Sequence, residues 1–398
     1  MKTVGALAAF GTLALGAWLF ACASDEDALL AGSPATSLVP DVDAGVDPDA
    51  GQSDARAEPA CVPDAICPFG APFDSSTRGG ALDLRTRITS IGGRSVSDVW
   101  AVGAHGAVAH FDGASWSRSE VGAVESFSGI WLHDAGEIAL SSFDVIYARN
   151  DDLDAPDGGA PSVDGWRRAE TTAPGWWSAD LSISSAWAPV GAEWMWGTNR
   201  TFNVGAPAGN GLWRGRIAPG TRTIELGDVL PRNACDVMGC LQMQSIHGSS
   251  PDELWAVGGQ GAAFRITGAQ SETPTITAFD TQTWAMLDGV WVASPTDVWA
   301  VGGAGTIRHY TGGAVSWDVV DDVPTNEDLH AVWGTSSADI WAVGDGPTVL
   351  HYDGATWSRV EVAGLGQRRP DLFSVWTASP GHVWIGGDGV ILSLGGKP

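Results

Sequence analysis

Tyrosine, methionine and cysteine are scarce in this chain: three, five and five residues among 398. Basic residues are scarce too. Lys and Arg total 21 against 47 Asp and Glu, a formal net charge of −26. That balance argues against a nucleic-acid partner and favours solubility. No Ser/His/Asp grouping, no Gly-x-Ser-x-Gly and no His-Glu-x-x-His can be read. The carboxylates are many, but none forms a pair distinct from solvated turns, so an acid–base assignment would be arbitrary. No His sits at ligand spacing beside a cysteine, and the reading calls for no metal and no cofactor.

What is abundant is tryptophan, 21 residues of it, and much of it recurs on a ruler. Asp339-Ile340-Trp341-Ala342-Val343-Gly344 has near copies at Asp98 to Gly103, Glu253 to Gly258 and Asp297 to Gly302, and a looser one at His382 to Gly387. An upstream aliphatic–Trp marker precedes it. Trp291 and Trp299, Trp333 and Trp341, and Trp376 and Trp384 are each eight residues apart. The same ruler pairs Gly92 with Trp100 and His247 with Trp255. It also finds decayed copies, Trp131 with Ala139 and Trp187 with Met195. Seven units result, and internal repeats at this period indicate propellers or solenoids.

Ile, Val and Trp alternate with small residues, and Gly, Asp, Ser and Pro punctuate every few positions, so the units are strands. Leu329 to Val362 reads as four strands, a to d, with Trp333 and Trp341 paired across a and b. Ile340 and Ala342 make the other face apolar as well, so both faces must be covered. The expected fold is all-β: a seven-bladed propeller of four-stranded antiparallel blades, over about 80–398. Blades begin near Ile88, Phe127, Ile183, Gln244, Leu287, Leu329 and Leu372. The last has three strands, and the segment 71–87 is expected to supply the fourth, because an open ring leaves an edge.

Residues 1–21 read as an export signal: Lys2, then an apolar run from Val4 to Phe20 too short for a comfortable membrane span. Leu19-Phe20-Ala21-Cys22 resembles the bacterial lipoprotein box. The resemblance implies lipidation of Cys22 and, with Ala23 rather than Asp next, an outer-membrane destination. Ordinary cleavage with free secretion or a periplasmic location is the alternative. Residues 22–79, rich in Asp, Ala, Pro, Gly and Ser, read as an acidic disordered tether. Its Asp-x-Asp-x-Gly pattern lacks the remaining calcium ligands. Cys61 with Cys67, and Cys235 with Cys240, are expected to form local disulfides in an exported chain.

In a blade, the b–c and d–a connections share one rim and the a–b and c–d connections the other. Three irregular segments then meet on the first rim: the connector holding Trp176 and Trp177, the insert Asn199 to Asn210, and the connector holding Cys235 and Cys240. Long loops on a rigid scaffold are where binding concentrates. Trp176, Trp177, Arg200, Phe202, Arg368 and Arg369 are the candidate ligand-binding residues. The competing reading packs both Trp beneath the insertions. His110, His309 and His351 share one strand-c slot, which Tyr147 and Trp213 fill in blades two and three, and recurrence marks that slot as structural. His247 stands in a Trp slot and His330 begins a strand.

Tyr352-Asp353-Gly354-Ala355-Thr356-Trp357 and Phe111-Asp112-Gly113-Ala114-Ser115-Trp116 resemble the Asp-box turn of BNR-type propellers, a group that includes sialidases and photosystem II assembly-factor-like proteins. The repeat as a whole resembles the Asp-Val-Trp-Ala-Val-Gly repeats of exported bacterial lipoproteins. These resemblances imply a propeller and leave three functional expectations. The first is a non-catalytic, monomeric envelope module that binds a protein or glycan. The second is a sialidase-type hydrolase, whose Tyr nucleophile would have to be Tyr147, Tyr310 or Tyr352. The third is an assembly factor for a membrane complex.

Overall fold

The computed structural model describes residues 61–70, 72–73, 82–151, 153–156, 158–175, 181–200, 211–231, 234–240, 242–313 and 315–396. The expectations for the signal 1–21, for Cys22, and for Trp176, Trp177 and Phe202 fall outside that set. The unit Arg56–Pro398 is a seven-bladed propeller, its described residues forming seven antiparallel-built sheets. Inner strands run Ile88–Ser95, Gly129–His133, Ile183–Trp187, Met243–Ser250, Leu287–Ser294, Leu329–Ser336 and Leu372–Ser379. Blade three carries a fifth strand, Thr171–Thr172, parallel to its outer strand Ile224–Asp228. Among the described residues, helix is limited to the short Ala234–Met238 and two single 3-10 turns.

The eight-residue ruler is a register. Trp291 pairs with Trp299, Trp333 with Trp341 and Trp376 with Trp384. The second Trp of each pair turns toward the next blade. Trp255 meets Tyr310 and Trp317 at ring-centroid distances of 4.8 and 5.2 Å. Trp299 meets Tyr352 and Trp357, and Trp384 meets Phe111 and Trp116. Burying large rings in tilted and edge-on contacts is what holds successive blades together.

Blades two and three depart from the ruler. Trp131 pairs with Ile138, not Ala139, because a tight turn at Asp134 lacks the turn-end bulge that five other blades carry. Trp187 pairs with Trp196, not Met195, because the Pro189–Ala192 turn is longer. Arg214, not Trp213, therefore stands opposite the blade-three Trp, as Arg265 does opposite Trp255 in blade four.

The closing strand is not in 71–87. It is Ile66–Pro68, antiparallel to Val390–Leu394 with Ile66 opposite Leu394. The tether reading of 22–79 therefore ran too far at its C-terminal end. The strand is only three residues long and is flanked by polar turns, so alternation gave no signal. What fixes it is burial of Ala65, Ile66 and Cys67 and the Cys61–Cys67 disulfide. Cys235–Cys240 is the second disulfide. The segment assigned to closure does a related job. Arg87 pairs with Asp388 at 2.9 Å, and Thr86 O accepts from Gly389 N, tying blade one to blade seven.

The terminal glycine of each repeat copy has a steric reason. A Cβ on Gly103, Gly258, Gly302 or Gly344 would run into the carbonyl oxygen of Arg87, Gln242, Met286 or Asp328, the residue entering the adjacent inner strand. The φ of Gly302 is −175°, ordinary extended backbone, so closeness of approach is the constraint. Gly302→Ala should lower stability by about 1–3 kcal/mol, the usual cost of overpacking, while Gly175→Ala, whose Cβ would meet no described atom within contact distance, should be near neutral. Urea unfolding of the two variants checks this.

Candidate functional site

The two rims can be told apart by hydrogen bonds. Gly106 N donates to Glu125 O, Gly261 N to Ala285 O and Gly305 N to Glu327 O. Each links a b–c turn to a d–a connector, which defines the upper rim. Along the propeller axis runs a cavity of about 360 Å³ lined by all seven inner strands. Its upper mouth is the candidate site.

A β-bulge builds that mouth. In six of the inner strands the register slips at the second residue, as between Ile88 and Ser90, Met243 and Ser245, Leu287 and Gly289, Leu329 and Ala331, and Leu372 and Ser374. The skipped residue leaves the blade interface, the re-aiming that bulges produce beside functional sites. The skipped residues are Thr89, Ser184, Gln244, Asp288, His330 and Phe373, and Ser128 holds the matching place in blade two. All seven line the cavity. The frame around them repeats, an aliphatic or aromatic core residue before and a small residue after, while the framed residue differs from blade to blade.

The ring is lopsided. Blades one to three present small hydroxyl side chains, and blades four to seven present an amide, a carboxyl, an imidazole and a phenyl. His330 Nε2 lies 2.6 Å from Asp345 Oδ1, and its ring stacks on Phe373 at 4.9 Å. The Arg87 guanidinium lies 3.8 Å from the Phe373 centroid. Thr89 donates to the Phe127 carbonyl at 2.5 Å. Gln244 Nε2 points to Met286 Sδ at 3.5 Å. Asp288 is half-buried, and among the described residues it has no ion pair or side-chain hydrogen bond. Burial pushes its carboxyl up to about 6; His330 and Arg200 oppose this, and Asp328 and Asp345 add to it.

Toward the lower rim, rings crowd the cavity. His247, Trp187 and Trp333 project toward the axis from blades four, three and six. Trp333 reaches past blade five to lie 4.7 Å from His247, and Trp187 lies 5.0 Å from it. His247 Nδ1 accepts the Val292 N–H at 3.1 Å, as Ser245 and Ser374 hydroxyls accept Val290 N–H and Ile91 N–H. These side chains satisfy the free edge of the neighbouring inner strand.

The strand-c histidines are structural. His110, His309 and His351 stack on Trp100, Trp299 and Trp341. Each shares its repeat's Asp with the Trp Nε1, as with Asp297 at 2.8 and 2.9 Å. Of the sequence candidates, Arg200 is exposed, bridges to Gln242 and acts electrostatically on Asp288. Arg368 donates to the carbonyls of Asp388 and Gly389 and so ties its connector to the b–c turn of blade seven, while Arg369 donates to those of Gly366 and Arg368 and braces its own loop. Sequence reasoning missed the bulge ring, Asp288 above all. It also missed Trp284, which is 85% exposed on the connector into blade five and borders a groove with Met238 beside the second disulfide.

No family model and no curated relative matches the chain. Solved structures do. YCF48 bound to D1 peptide is similar with TM-score 0.55 and 15% identity, over 85% of this chain and 99% of that one. YCF48 from Cyanidioschyzon merolae gives 0.57 and 14%, over 79% and 97%. A streptogramin B lyase gives 0.54 and 15%, over 78% and 93%. At these identities the likeness is one of fold: the chain is a β-propeller with propeller neighbours, one bound to a peptide and one an enzyme.

Proposed function

We propose that this is an exported, non-catalytic binding propeller that receives a segment of a protein partner across its upper rim, one side chain entering the axial mouth. The observation that carries the reading is the bulge ring: seven positions freed from blade packing, varied in chemistry, set in a frame that is otherwise repeated. Positions released from a structural role are where recognition has room to act. Thr89, Ser128 and Ser184 leave one side of the mouth open, and Trp284 offers an exposed aromatic anchor on the same rim, the residue type favoured at interface centres. The peptide-bound YCF48 neighbour is consistent with a protein segment as the ligand. Two disulfides fit an oxidising compartment, and Cys22 is proposed as a lipid anchor at the outer membrane. Trp176, Trp177, Arg200 and Phe202 are proposed as flanking contacts. Arg368 and Arg369, whose guanidinium groups brace backbone, contribute charge at the rim edge.

Random-peptide display on the purified domain should select peptides whose binding is lost in Ser184→Trp, which fills the mouth from its open side. Binding should persist in Ser97→Trp on the lower rim. Selected peptides indifferent to Ser184→Trp would place recognition elsewhere. One observation favours a second reading. The His330–Asp345 pair and Asp288 occupy adjacent slots, an arrangement able to move protons, and a lyase shares the fold. Turnover in a screen of esters, lactones and aryl glycosides, abolished by His330→Gln, would establish it.

A further inference from the structure

Granting a partner segment at the mouth, we infer that the group entering it is cationic, a lysine ammonium or an arginine guanidinium, with Asp288 as its counter-charge. The bulge between Leu287 and Gly289 aims Asp288 out of its blade and into the cavity lining, and the carboxylate meets no described hydrogen-bond donor there. The basic groups close by have other commitments. Arg87 is bound to Asp388 and to the Phe373 face. Arg368 is bound to two carbonyls. His330 is bound to Asp345. Arg200 acts on Asp288 from the rim, yet burial outweighs it.

Alternatives fare worse on the same geometry. An anionic group would meet Asp288, with Asp328 and Asp345 behind it. An apolar side chain would complete the desolvation of a carboxylate and give it no donor, the most costly way to bury a charge. A cation gains from all three carboxylates, and Gln244 supplies a further acceptor: its Nε2 is turned to Met286, and among the described residues none donates to its Oε1. The apolar stem of Lys or Arg would lie along Phe373 and Val290, the snorkelling arrangement in reverse. The raised pKa of Asp288 fits a carboxylate that lacks its partner, and it should fall when the cation binds.

The test uses three probes on the full propeller: Ac-Gly-Lys-Gly-amide, its norleucine analogue, and n-butylammonium, each titrated with backbone-amide NMR of the mouth as the readout. The lysine peptide should bind about tenfold or more tightly than the norleucine peptide. Asp288→Asn should abolish that preference, and Glu361→Gln, on an exposed connector, should keep it. Equal binding of the two peptides, or a preference that survives Asp288→Asn, overturns the inference and leaves the peptide-binding reading intact. Uptake of butylammonium at Asp288 with no peptide binding supports the cation site and sinks the peptide reading instead. Silence of all three probes at millimolar concentration overturns both.

Discussion

Ile66→Asp should open the ring, lowering stability by on the order of 4 kcal/mol and splitting a single unfolding transition into two. Ile66 is fully buried between Trp341 of blade six and Val383, Ile385 and Leu392 of blade seven. After blades one, four, five and seven the strand-b Trp meets a Trp of the next blade's outer segment, as Trp299 meets Trp357, and here Ile66 takes that place. Its backbone works as hard as its side chain. Ile66 N donates to Glu361 O and Ala363 N donates to Ile66 O, so three residues staple two blades at once. An aspartate forfeits the transfer free energy of the isoleucine and buries a charge with no partner. Each blade of a propeller packs chiefly on its neighbours, so a broken ring behaves as an array with two frayed ends. Reduction of Cys61–Cys67 is the milder version. Freeing a loop this short costs about 2 kcal/mol in the chain-entropy model, and the strand can still pair. Differential scanning calorimetry of the variant, beside reduced and oxidised wild type, gives the ordering. An Ile66→Asp midpoint equal to wild type would mean that the terminal pairing contributes nothing to closure.

How far the chain could be read before its structure depended on repetition. Trp299, Trp341 and Trp384 stand in equivalent packing sites, and equivalent sites impose equivalent residues at a fixed interval, so blade number and strand order were legible. The ruler misled at Ala139 and Met195, where a turn had lost or gained a residue. Pattern conveys spacing, but pairing follows the turn geometry. The closing strand was missed for a different reason. Ile66 belongs to a sheet whose other members lie at the opposite end of the chain, and a three-residue edge strand has too little alternation to announce itself. The mouth was missed although its signature was present. Leu287-Asp288-Gly289, Leu329-His330-Ala331 and Leu372-Phe373-Ser374 keep the flanks and vary the centre. That contrast makes sense only once the bulge shows that the centre has left the core. Trp284, an exposed aromatic on a d–a connector, lies outside every repeat slot and was overlooked in favour of Trp176 and Trp177, which fall outside the described residues.

The ring cluster around His247 yields the second large effect, a pH dependence with a definite sign. His247 is encased by Trp187, Trp333 and inner-strand backbone, and burial pushes its imidazole from 6.5 down to about 3. In the unfolded chain the same group titrates near its ordinary value. Between those values the unfolded state holds a proton that the folded state refuses, so folding stability falls as pH falls. From about pH 7.5 to about pH 4.5 the loss from this one residue should be about 3 kcal/mol. Asp288 acts in the opposite direction. Its folded pKa is raised from 3.8 to about 6, so it adds stability as pH drops through that range, and wild type alone would show a blunted slope. The difference between wild type and His247→Asn isolates the histidine, because Asp288 contributes equally to both. The asparagine oxygen stands near the Nδ1 position and can accept the Val292 N–H, so the edge of blade five keeps its partner. His247→Asn should be the less stable protein at about pH 7.5, having lost the ring contacts to both indoles, and should lose far less on acidification. Urea-unfolding free energies at several pH values would show the two lines converging or crossing toward acid. Parallel lines would mean that the imidazole reaches solvent in the folded state.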